Sequence, residues 1–83
     1  MTDHTYIATF YSHFGAIRFQ KALKKAGLTG KMMPVPRDLS SSCGTCVRFE
    51  ADAFQARDGY HEIEQIVRVG NKGYECIYRA EDS

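Results

Sequence analysis

The run Thr5–Tyr11 (TYIATFY) constrains this chain more than any other stretch. Its residues alternate with the period of an extended strand, Tyr6, Ala8 and Phe10 on one side and Ile7, Thr9 and Tyr11 on the other. Both sides are largely apolar, so the strand needs cover on both faces and belongs at the centre of a sheet. Ser12 follows, a residue whose hydroxyl caps helix N-termini. From His13 to Ala26 the period changes to that of a helix. Ala16, Phe19, Ala22, Leu23 and Ala26 fall on one stripe, with Arg18, Lys21 and Lys25 opposite as a solvated face. Gly27 supplies the C-terminal stop.

The rest of the chain supplies three more strands and a second helix. Lys31–Val35 reads as a strand, and Pro34 and Pro36 confine it to an edge because proline donates no ladder hydrogen bond. Cys46–Ala51 alternates, with Val47, Phe49 and Ala51 on one face and Cys46, Arg48 and Glu50 on the other. Asp52–Arg57 is ambiguous. Asp58 caps an expected helix to about Val69, with Ile63, Ile66 and Val67 facing the core and Gly70 ending it. Tyr74–Arg79 is a last strand with Tyr74, Cys76 and Tyr78 on one face. The order βαββαβ predicts an α+β, ferredoxin-like sandwich: a four-stranded antiparallel sheet with two helices on one face. The first and third strands are then central and the second lies at an edge.

At 83 residues the chain is one domain, 1–83. A net charge of +1 demands neither nucleic acid nor an anionic membrane as partner. The third strand also lacks the basic-Gly-aromatic-Gly pattern by which RNA-recognition sheets stack bases. No apolar run approaches a membrane span. No basic segment and apolar h-region open the chain, so the expected compartment is the cytoplasm.

The segment PVPRDLSSSCGTCVRF, Pro34–Phe49, has the chemistry of a site. Its loop exceeds an ordinary hairpin connection, and its serines and glycine are costly to order for packing alone. Arg37 and Arg48 flank Cys43 in sequence, and cations favour the thiolate, the reactive form of cysteine. Ser40, Ser41 and Ser42 offer short donors that suit an anion, and Gly44 lets the backbone turn tightly behind the sulfur. Against this stand plainer readings, in which the serines only make turns and Arg48 pairs with Glu50 or Glu75 on the sheet face.

Cys43-Gly44-Thr45-Cys46 is a Cys-x-x-Cys motif, a spacing shared by thiol–disulfide exchangers and metal sites. An odd count of three cysteines without a secretory signal argues against a disulfide framework. A metal site is not expected. Zinc wants four ligands, and beyond Cys76 and one of His4, His13 or His61 there is no second paired motif. Cys76, between Tyr74 and Tyr78, reads as a small buried side chain; on a face shared with Cys46 it would be a resolving thiol. The histidines carry no assignment.

These residues resemble the selenium/sulfur carrier-like family of small bacterial and archaeal domains. The likeness rests on Pro36, Arg37, Ser40, Ser41, Cys43, Gly44, Arg48 and Phe49. It extends to YIATFYSHFGAIRFQKALKKAGL at the start and YECIYR at the end. The resemblance implies that Cys43 is the carrier cysteine. It accepts a persulfide or selenide from a donor protein such as a cysteine desulfurase and passes it to an acceptor protein. It implies no cofactor, and a transfer module rather than a stand-alone enzyme. Cys46 departs from the family pattern, where this position is often small or apolar, and would add a redox or persulfide-resolving step. Two other readings remain: a Cys43–Cys46 redox switch, and a binding module in which the cysteines are bystanders. The edge strands offer a route to dimers by strand pairing.

Overall fold

The computed structural model describes residues 4–39, 44–52 and 62–80. They form β1 (His4–Phe10), α1 (His13–Lys25), β2 (Lys31–Pro34), β3 (Thr45–Ala51), β4 (Ile63–Gly70) and β5 (Gly73–Arg79). The strands make one antiparallel sheet in the order β2-β3-β1-β4-β5. As the alternation requires, β1 is interior and adjacent to β3, Tyr6 to Phe10 are all buried, and β2 lies at an edge.

α1 covers one face. Ala16, Phe19 and Leu23 enter a core with Tyr6, Ala8, Phe10, Val47, Phe49, Ile63 and Ile66. Its centre is aromatic. The Phe49 ring stacks on Tyr6 at 5.2 Å, and Phe19 meets Phe49 at 5.5 Å and Phe10 at 5.4 Å. Ser12 caps the helix, its hydroxyl accepting from the Gly15 amide at 3.3 Å. At the other end the Leu28 amide donates to Leu23 O and the Gly27 amide to Lys24 O, with Gly27 at φ +84°. This is a Schellman closure, and its left-handed residue is one that L side chains adopt reluctantly.

The four-stranded, two-helix sandwich is corrected. The sheet has five strands, and the described residues contain one helix. The expected helix over Asp58–Val69 is overturned where it is described, because Ile63–Gly70 is β4; residues 53–61 lie outside the described set. The physical reason is a β-bulge. Phe10 pairs with Ile63 but Thr9 with Gln65, so Glu64 is an extra residue in the ladder. The bulge puts Ile63 and Ile66, three apart, on the same face. A bulged strand thus imitates the i, i+3 spacing of a helix.

A second shift, between Ile66 and Val67, makes Ile77 the extra residue on β5. Tyr78 therefore packs on the α1 face and Tyr74 on the other, instead of sharing one face. Cys76 is exposed rather than buried. On the helix-free face, Ile7, Cys46 and Val67 are nonetheless buried, packed by Met33, Val35, Leu39 and Tyr74.

Candidate functional site

The cysteine-bearing loop joins β2 to β3 and leaves the sheet as a narrow pair, the Val35 amide donating to Gly44 O at 3.1 Å. Pro36–Leu39 then turns, the Leu39 amide donating to Pro36 O at 3.0 Å, with Arg37 and Asp38 exposed at the corner. The turn lays Leu39 over Ile7, Cys46 and Val67. On the returning arm Gly44 is exposed at φ +74°, a conformation that a β-carbon makes costly. Ser40, Ser41, Ser42 and Cys43 lie outside the described residues.

Cys46 is the floor of this loop. Its side chain is 0% exposed, and Sγ sits 3.7 Å from Pro34 O. A thiol without solvent access is poorly placed to exchange with an external partner. Cys76 lies on β5, with β1 and β4 between it and β3. Three strand spacings are about 14 Å, whereas a disulfide needs Cα atoms within about 7 Å. Cys46 and Cys76 therefore cannot bond in the folded chain, and Cys76 is no resolving thiol for Cys46.

The two arginines expected to flank the loop are separated. Arg37 is on it. Arg48 is three residues into β3, about 10 Å from Thr45 along an extended strand, directly opposite Lys31. Neither expected partner pairs with it: Glu75 takes an ion pair with Arg68, and among the described residues Arg48 makes no salt bridge to Glu50.

Sequence reasoning missed His13 and Thr45. His13 opens α1, Thr45 opens β3, and Thr45 Oγ1 lies 3.1 Å from His13 Nδ1. The bond ties the base of the cysteine loop to the helix N-terminus. A signal was available: with the first and third strands antiparallel neighbours, the end of one must meet the beginning of the other. Glu62, also unassigned, secures the same helix end. Its Oε2 accepts from Ser12 Oγ at 3.0 Å, Oε1 from Arg18 Nη1 at 3.1 Å, and its carbonyl from the Tyr11 amide. Among the described residues no cluster of three or more His, Cys, Asp or Glu is placed to hold a metal, and no helix is long and apolar enough to cross a membrane.

Residues 5–79 match the family described as "Putative Se/S carrier protein-like". The chain is also similar to "Uncharacterized protein YtiA" of Escherichia coli (strain K12), 40% identical over 42 residues, which is 51% of this chain and 49% of that protein. The chain thus spans about half the length of the curated relative it matches. No solved structure matches it.

Proposed function

Because the chain belongs to the Se/S carrier protein-like family, we propose that it carries a sulfane sulfur, or the selenium equivalent, on Cys43. The Cys43 thiolate attacks the outer sulfur of a donor protein's persulfide. A new Sγ–S bond forms as the donor's S–S bond breaks, and the donor leaves as a thiolate that takes up the proton. In delivery an acceptor thiolate attacks the same outer sulfur, and Cys43 leaves as the thiolate. Neither step needs an outside oxidant or reductant, since a sulfur atom only changes its thiol partner.

One observation carries this reading: the loop that bears the cysteine is fixed at both ends of the described chain. Leu39 is packed on the sheet and Thr45 is bonded to His13. Such anchoring holds a reactive residue on a rigid scaffold. Arg37, Ser40, Ser41, Ser42 and Gly44 supply charge and donors for the persulfide anion. Arg48 acts only through its long-range field, being well along β3. Cys46 anchors the loop from below, and its burial disfavours the redox-switch reading.

Treatment with limiting glutathione persulfide, followed by alkylation, digestion and mass spectrometry, tests the assignment. Cys76 serves as the internal standard, since it is an exposed thiol. The expected result is a sulfur atom gained at Cys43 well before Cys76, and little change at Cys46. Equal rates at Cys43 and Cys76, or a Cys43–Cys46 disulfide as the main product, overturns it.

A further inference from the structure

Two clefts flank the start of β2. One, of about 450 Å³, is lined by Gln20, Lys21, Lys24, Leu28, Thr29 and Gly30 on the helix side. The other, of about 460 Å³, lies toward the helix-free face, includes Lys31, Arg48 and Glu50, and shares Leu28 and Thr29 with the first. Lys21, Lys24, Lys31 and Arg48 face a single carboxylate there, so the clefts hold a net three positive charges in a chain whose total is +1. Among the described residues none of these four cations makes a salt bridge. Lys31 and Arg48 are directly opposed across β2 and β3. Like charges in that relation are destabilising by themselves, and an anion between them removes the repulsion.

The backbone between the clefts selects the kind of anion. The Val35–Gly44 hydrogen bond fixes the phase of the β2–β3 ladder. Pairs alternate in an antiparallel ladder, so Lys31–Arg48 and Met33–Cys46 are the hydrogen-bonded pairs. Met32 then presents its N–H and C=O outward at the sheet edge. Pro34 falls on the same outward phase, where its missing N–H costs the ladder nothing and limits how far a new strand can extend. An added strand projects its side chains alternately to the two sides, which here are the two basic clefts.

We propose that the β2 edge binds an extended acidic polypeptide segment. Met32 supplies the ladder bonds, Lys21 and Lys24 meet carboxylates on one side, and Lys31 and Arg48 meet them on the other. A nucleic acid fits less well, because the outward Met32 amide and carbonyl would have no strand to pair with. The claim is independent of what Cys43 carries.

The test uses the full chain and a synthetic peptide of alternating Glu and Val, followed by backbone amide NMR. Binding is expected to shift the Met32 amide and slow its hydrogen exchange. It should weaken at least tenfold in Lys21→Glu/Lys24→Glu and, separately, in Lys31→Glu/Arg48→Glu, each checked as folded by its amide spectrum. Lys72→Glu, on the exposed β4–β5 turn, should bind as the parent does. An undisturbed Met32 amide, or equal loss in Lys72→Glu, overturns the proposal. So does tighter binding of an oligo-dT strand, or of inorganic phosphate, than of the peptide.

Discussion

His13 Nδ1 and Thr45 Oγ1 lie 3.1 Å apart, joining the first residue of α1 to the first residue of β3. The bond is exposed, and solvent competes for it, so its net value is at the low end for a hydrogen bond. A double-mutant cycle of His13→Ala and Thr45→Val should give a coupling of about 0.5–1 kcal/mol. Thr45→Val should also slow sulfur uptake at Cys43, because the returning arm of the loop loses its tether. Zero coupling in denaturant titrations would remove this contact from the account of the site.

Gly15 sits where α1 meets the start of β4. A β-carbon built there falls 2.5 Å from Glu62 Cβ and 3.3 Å from Phe10 Cδ2. On an open helix surface, Gly→Ala gains about 1 kcal/mol. Here the overpacking costs about 1–3 kcal/mol, so Gly15→Ala should lower the melting temperature. A rise would show that the helix stands further from the sheet than described.

Cys46 and Cys43 should separate stability from transfer. Cys46→Ala removes a fully buried sulfur from the cluster with Ile7 and Val67. The expected cost is about 1–2 kcal/mol of stability, with sulfur uptake by Cys43 kept within about twofold of the parent, the rate reading of less than ~0.5 kcal/mol. Cys43→Ala should abolish uptake. If Cys46→Ala abolishes uptake while the protein stays folded, Cys46 takes part in the chemistry.

Phe49 holds the aromatic centre, touching both Tyr6 and Phe19. Phe49→Ala should cost about 3–5 kcal/mol. For a domain of this size that lowers the melting temperature by more than about 10 °C. A loss below about 1 kcal/mol, the range of a surface change, would mean that the core does not close around this ring.

Legibility in the sequence followed regularity. α1 was readable because its stripe, its Ser12 cap and its Gly27 stop agree, and the structure has the helix at His13–Lys25 with both closures. The Val47/Phe49/Ala51 face of β3 was readable because nothing interrupts its alternation. β4 was not, because the bulge at Glu64 replaces period two with a spacing of three at the very residues that carry the core signal. β5 suffered the same way at Ile77, which sent Tyr78 to the opposite face from Tyr74. Of the candidate site, the loop and its residue types were legible. The burial of Cys46, the separation of Arg48 from the loop and the His13–Thr45 bond were not, since each depends on which strand lies beside which.

By itself, the sequence determined the central β1, the capped helix, the edge position of β2 and the family, because these rest on local periodicity, on proline's missing donor and on a contiguous motif. Only the tertiary structure decided the five-stranded sheet, the depth of Cys46 and the cationic pair Lys31–Arg48. Ladder register is a long-range property: one extra residue in a strand moves every side chain beyond it to the other face.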